Sequence, residues 1–248
     1  MIKPTFIFSG PDTRTDYSIY VHAPEAATHP GPWPVLLVLD GDDQFTSAKK
    51  AHDALVAAGT IPPQLLVGIG YGASYTKPAN RRVRDYTPVR AHEETTSGGA
   101  DAFLTFVTGP LWREIERRYP VRCDQRGITG YSLGGLFVLH ALVQPRPFFT
   151  HHLAGSPSIW WGDAAILPQI AARHALSPEL VAKLFFSVGE KDSRSMRLDV
   201  DRLETQLAAL AFRGLEVTTR RFPKKTHFNA IDLTFATGLA ALYSPRPS

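Results

Sequence analysis

Five consecutive apolar residues, Val35-Leu36-Leu37-Val38-Leu39, constrain the fold of this chain more than any other segment. With no polar position in the run, a strand built from it has no face left for water and must be covered on both sides. Sheets covered on both sides are mostly parallel and flanked by helices. The rest of the chain keeps to that plan. Strand patterns recur at 64–69, 127–131, 149–154, 183–188 and 215–221, and helix patterns at 47–59, 100–118, 133–143, 164–175, 195–213 and 228–243 fall between or after them. In the 100–118 segment Phe103, Phe106, Val107, Leu111 and Ile115 stand near helical spacing, as Leu203, Leu207 and Leu210 do in 195–213. Ahead of the first buried run, residues 5–9 and 17–23 predict an antiparallel hairpin turned at Gly10-Pro11-Asp12. The expectation is an α/β fold: a mostly parallel central sheet, helices on both faces and an N-terminal hairpin. No repeat or linker divides residues 1–248, which are expected to form a single domain. One irregular stretch, 72–98, is long enough to expect a role in function.

Composition narrows the function classes. Hydrophobic residues at 44% and charged residues at 20% describe a globular chain with a sizeable core. The net charge of +4 is scattered except at Arg81-Arg82-Val83-Arg84 and at 220–225. Neither cluster sits on a nucleic-acid module, so a nucleic-acid partner is not expected. No apolar run approaches the length of a membrane span, and the start lacks the apolar core of a signal peptide. The single cysteine, Cys123, fits a reducing compartment, and the expected location is cytoplasmic. Cys123 itself is expected to be a small buried hydrophobe just before a strand.

The chemistry starts at Gly130-Tyr131-Ser132-Leu133-Gly134. The motif follows a short strand and opens an apolar helix, the position of the nucleophile elbow in the α/β-hydrolase fold. Glycines flank the serine because the turn is strained and backbones cross closely there. Ser132 is the expected nucleophile. In such an elbow the acid and then the histidine follow in chain order, each after a later strand. The loop after 183–188 reads Gly189-Glu190-Lys191-Asp192, which makes Asp192 the expected acid and Glu190 its alternative. His227 follows the last strand and is the expected base. The other eight histidines precede the acid. Two backbone donors are expected to form an oxyanion hole: the N–H of Leu133, and that of Gly41 or Asp42 in the loop after 35–39. The alternative for Asp40, Asp42 and Asp43, a metal site, lacks the further ligands of a calcium loop. No metal and no cofactor is expected.

Taken together, Leu39-Asp40-Gly41-Asp42, Arg84-Asp85-Tyr86-Thr87-Pro88, the elbow with Gly135, Ser156-Pro157-Ser158-Ile159-Trp160-Trp161, Val188-Gly189-Glu190-Lys191-Asp192 and His227 appear in one order. That order resembles the Putative esterase family of α/β-hydrolases, and within it the siderophore trilactone esterases of the enterobactin and bacillibactin type. The resemblance runs from about residue 5 to residue 243. It implies a serine esterase acting on a small-molecule ester, with Ser132, Asp192 and His227 in the family's places. It also implies basic residues near the pocket, for which Arg82 and Arg84 are the expected candidates beside Arg81. Tyr131, Trp160 and Trp161 are expected in the pocket wall. Acyl transfer by the same groups, and a binding module on a hydrolase scaffold, stand as the alternatives.

Overall fold

The computed structural model describes residues 3–245. The chain begins with the expected hairpin, β1 (Phe6–Gly10) and β2 (Thr15–His22), and then enters β3 (Trp33–Val38). After β3 come α1 (Gly41–Ala57), β4 (Leu65–Gly70), and the helices α2 (Arg82–Tyr86), α3 (Ala100–Thr108) and α4 (Pro110–Arg118). β5 (Val121–Tyr131), α5 (Leu133–Leu142), β6 (His151–Gly155), the short α6 (Trp161–Ala164) and α7 (Ile166–Leu176) follow. The chain closes with β7 (Glu179–Gly189), α8 (Arg194–Leu210), β8 (Arg213–Phe222) and α9 (Ile231–Tyr243).

All of these strands join one eight-stranded sheet in the order β1-β2-β4-β3-β5-β6-β7-β8. β2 runs antiparallel to β1 and β4, and every other pairing is parallel. The expected covering of both faces is visible in the first buried run. Val35, Leu37 and Leu39 point into one apolar cluster with Phe103, Phe137 and Leu184. Leu36 and Val38 point into the other, with Phe45 of α1 and Phe235 and Leu239 of α9. At about 25 cal/mol per Å² of apolar surface, two such layers supply the main drive for folding. β8 closes one edge and carries charged residues along its exposed length, which discourages pairing with another chain.

Several boundaries differ from the sequence expectation, and three of the differences have a plain physical or positional account. The 100–118 helix is two helices, because Gly109 leaves helical conformation (φ −112°, ψ −95°) and Pro110 starts the next helix. Proline lacks the N–H an interior position needs and suits a first turn. The helix expected at 47–59 begins at Gly41, since Asp40 takes a left-handed backbone (φ 52°) that turns the chain straight from strand to helix. Cys123 is exposed and lies inside β5, not buried ahead of it. β6 pairs with β5 only from Gly127 onward, and β3 meets the first half of β5 only at Val121 and Arg126, so Cys123 lies in a stretch without a strand partner.

Candidate active site

The parallel strands deliver their carboxyl ends to one edge of the sheet, and ligands of open α/β sheets bind at that edge. Ser132 stands there between β5 and α5 with φ 60° and ψ −118°, a conformation that a non-glycine residue holds only when its surroundings enforce it. The enforcement is visible. The Ser132 N–H donates to the Gly155 carbonyl at 2.9 Å, and the Ser132 carbonyl accepts from the N–H groups of Leu136 and Ser158 at 3.0 Å each. A Cβ at Gly130 would lie 2.5 Å from the Gly134 backbone, and one at Gly135 would lie 2.8 Å from the Gly155 carbonyl oxygen. These two glycines let the elbow close.

Asp192 and His227 reach the same place from the loops after β7 and β8. The two loops are stitched together: Glu190 N–H donates to the Phe222 carbonyl at 3.0 Å and Lys191 N–H to the Lys225 carbonyl at 2.8 Å. A Cβ on Gly189 would meet the Lys225 oxygen at 2.4 Å, so the loop must start with glycine. Glu190 is exposed, and its Oε2 accepts from the Lys224 N–H; it faces the stitch and not the histidine. Asp192 is buried, with Oδ2 3.6 Å from His227 Nδ1. Its Oδ2 also accepts from the Ser156 hydroxyl at 2.9 Å, which in turn accepts from the Tyr131 hydroxyl at 3.0 Å. Ser132 Oγ lies 3.1 Å from Ser158 Oγ. Ser156 and Ser158 stood in a motif of the family resemblance but were assigned no role from the sequence. Their signal was the Ser-Pro-Ser spacing after β6, at the same sheet edge as Ser132.

Above Ser132 lies a cavity of about 230 Å³. Tyr131, Ser132, His227, Phe228, Ile231, Gln44, Tyr75 and Arg82 line it. A larger groove of about 520 Å³ lies behind the Asp192 loop among Lys191, Arg194 and Arg197, but neither Ser132 nor His227 lines it. The start of α1 closes in beside the elbow: a Cβ on Gly134 would lie 3.3 Å from Asp40 Oδ2. The first N–H groups of a helix have no partner within it, so Gly41, Asp42 and Leu133 offer backbone donors from two adjacent helix starts.

The arginines are held differently from the expectation. Arg82 makes a bidentate pair with the buried Asp40, at 2.8 and 2.9 Å, and a third bond to the Tyr131 carbonyl at 3.3 Å. It borders the cavity, but its charge is spent on this chain's own carboxylate. Burial pushes the Asp40 carboxyl up from its ordinary range against the pull of that guanidinium. Arg84 points away, to Asp85, the Thr13 carbonyl and Thr15. Arg81 is exposed. Trp161 is buried, its indole donating to the Val89 carbonyl at 2.9 Å, and Trp160 is 49% exposed; neither lines the cavity. The apolar lining comes instead from the approach to α9, through Ile231 and the exposed Phe228.

The acidic residues after β3 have protein partners. Asp42 accepts from the Tyr20 hydroxyl and from the N–H groups of Tyr71 and Gly72, and Asp43 accepts from the Tyr75 N–H. They pin the start of the 72–98 stretch onto α1. Among the described residues, His22, His52 and Asp53 are close enough to share an ion. Their hydrogen bonds do not suit one. His52 Nε2 accepts from the Gln64 N–H, so Nδ1 carries the proton and donates it to Asp53, leaving no lone pair for a metal.

Comparisons with known proteins agree with this architecture. The family model described as "Putative esterase" matches residues 10–231. The ferri-bacillibactin esterase BesA of Bacillus subtilis is 27% identical over 94% of this chain and 86% of its own length. The siderophore triacetylfusarinine C esterase of Aspergillus fumigatus is 34% identical over 65% of this chain and 59% of its own. The crystal structure of the BES protein from Bacillus cereus superposes with a TM-score of 0.85 at 24% identity, covering 97% of this chain and 94% of that one. The chain belongs to the Putative esterase family. It has the α/β-hydrolase fold and is a carboxylic ester hydrolase.

Proposed function

We propose that the chain hydrolyses a small-molecule ester through an acyl-enzyme on Ser132. The observation that carries this is the strained Ser132 at the mouth of a cavity, with an imidazole beside it and a buried carboxylate behind. His227 takes the hydroxyl proton as Ser132 Oγ attacks the ester carbonyl. The oxyanion that forms lies against the N–H groups of Leu133 and of Gly41 or Asp42. Collapse breaks the ester C–O bond, and the leaving alcohol takes the proton from His227. Water then attacks the acyl carbon, His227 accepts its proton, and the carboxylic acid leaves with Ser132 restored. Asp192 accepts from His227 Nδ1–H, which fixes the tautomer and stabilises the imidazolium. At 3.6 Å the pair is longer than a hydrogen bond, and catalytic bonds of this kind tighten as the transition state forms. Ser156 and the Gly189 N–H hold the Asp192 carboxylate in position.

The named activities of the relatives support a siderophore-type ester. Arg82 and Arg84 lend that substrate no support, because carboxylates of this chain hold both. The exposed single cysteine fits the cytoplasm. The test is turnover across short-chain, aryl and trilactone esters with Ser132→Ala as the blank, with and without added alcohols. Acid release that the variant loses by several orders of magnitude is expected. Turnover surviving in Ser132→Ala refutes the assignment, and ester formation from the added alcohol in place of acid would make the chain a transferase.

A further inference from the structure

A second hydroxyl is held against Ser132. Ser158 is buried, and its Oγ lies 3.1 Å from Ser132 Oγ; among the described residues each hydroxyl is the other's one hydrogen-bond partner. The backbone joins the two residues a second time, since the Ser158 N–H donates to the Ser132 carbonyl at 3.0 Å. The loop after β6 fixes Ser158 in that place. The Ser156 N–H donates to the Ser187 carbonyl at 2.9 Å, and the Trp161 N–H to the Ser158 carbonyl at 3.2 Å. Pro157, whose ring restricts φ, packs on the start of α5, where a Cβ on Gly135 would meet its Cα at 3.0 Å.

One hydrogen lies between the two oxygens, and the mechanism decides whose it is. During attack the Ser132 proton goes to His227, so it cannot at the same time point at Ser158. Ser158 is then the donor, and its bond falls on the oxygen that gains negative charge as the proton leaves. A fixed donor aimed at developing charge lowers the barrier, because nothing has to reorganise when the charge appears. In the acyl-enzyme the same Oγ is an ester oxygen and a poorer acceptor, so the bond weakens. Once water has added to the acyl carbon, the C–Oγ bond breaks and Oγ leaves with the electron pair. Ser158 donates to it again until His227 returns the proton. The opposite arrangement, Ser132 donating to Ser158, keeps the nucleophile's proton from His227 and is unproductive.

We infer that Ser158 is a further catalytic residue, whose hydroxyl donates to Ser132 Oγ and stabilises the charge on that oxygen when the acyl-enzyme forms and when it is released. The inference rests on the Ser132 mechanism and adds to it a donor on the nucleophile, separate from those that face the ester carbonyl.

Ser158→Ala removes the donor and keeps the backbone bond. On the purified full chain, kcat for a neutral short-chain ester and the rate of inactivation by a fluorophosphonate should each fall by about 10- to 100-fold, the scale of one hydrogen bond to a charged group. KM should stay within about threefold, since the donor meets the nucleophile and not the bound ester. The midpoint of the pH profile of kcat/KM should not move, because Ser156 still holds Asp192 behind His227. Ser158→Thr, which keeps the hydroxyl, should exceed its shape match Ser158→Val by about tenfold in kcat. A kcat in Ser158→Ala within about threefold of the unaltered enzyme, or equal rates for the Thr and Val variants, overturns the inference. A fall in kcat accompanied by a moved pH midpoint also overturns it, since the loop would then act through Asp192. Turnover that persists in Ser132→Ala would instead remove the mechanism on which the inference stands.

Discussion

Arg82 is where the sequence expectation and the structure part most sharply, and replacing it separates the two. In Arg82→Met the bidentate partner of Asp40 disappears, and a carboxylate whose side chain is 0% exposed is left without a counter-ion. Breaking one side of such a pair costs about 3–5 kcal/mol. With an m-value of about 3 kcal/mol per M of urea, the unfolding midpoint should fall by about 1–1.7 M. The bond from Arg82 to the Tyr131 carbonyl is lost as well, so the Asp40 turn and the elbow lose their common brace. A displacement of about 1 Å at such a site costs on the order of a hundredfold in rate. The fall in kcat should therefore be at least tenfold and alike for neutral and anionic esters. Adding Asp40→Asn to Arg82→Met removes the stranded charge while keeping a residue that tolerates φ 52°. The double variant should regain most of the midpoint but not the rate. Urea titration by fluorescence and steady-state kinetics on both ester types read these effects. An unmoved midpoint, with KM raised for the anionic ester alone, would mean that Arg82 binds substrate and that the brace is wrong.

Asp192→Asn should lower kcat by about 10⁴, as when a triad loses the group that fixes its histidine tautomer, while Glu190→Gln, which weakens only the bond from the Lys224 N–H, should cost less than tenfold; exchanged ranks would make Glu190 the acid. Acid should destabilise the fold. Burial, aided by Lys183, holds His151 down to about 4, and burial holds His152 down to about 3. Both titrate near pH 6.5 once unfolded. Between pH 6.5 and about 4 the unfolded chain therefore binds protons the folded one refuses, and stability falls as pH falls, by about 1.4 kcal/mol per pH unit for each histidine. Urea titrations at pH 6, 5 and 4.5 should show His152→Leu losing about 1.4 kcal/mol per unit of that slope, and an unchanged slope would refute the assignment.

That Ser132, Asp192 and His227 come to one edge of the sheet was legible because each position depends on local order: a motif between strand and helix, and residues just past a strand's end. The side chains around them were not. Gln44 lay within a stretch expected to be a loop, and only the left-handed Asp40 starts α1 at Gly41 and brings that residue to the cavity lining. Ser156 and Ser158 meet Asp192 and Ser132 across 36 and 26 residues of chain. The Ser-Pro-Ser spacing puts them at the sheet edge but does not say which distant side chains they meet. The arginines misled for the same reason. A basic run in a loop shows charge, while its distant partners, Asp40 for Arg82 and Thr13 and Thr15 for Arg84, depend on how 72–98 lies against α1 and the N-terminal hairpin. Pro110 was a legible helix start, overridden by the apolar spacing that runs through it.

Ser158 Oγ stands only 3.1 Å from Ser132 Oγ, so the proposed nucleophile has a neighbouring hydroxyl as a rival. Treatment with a fluorophosphonate followed by intact-mass measurement and peptide mapping decides between them. The account predicts one adduct per chain, on Ser132, formed in step with loss of ester hydrolysis and absent from Ser132→Ala. An adduct on Ser158, or full inactivation with Ser132 unmodified, would contradict it.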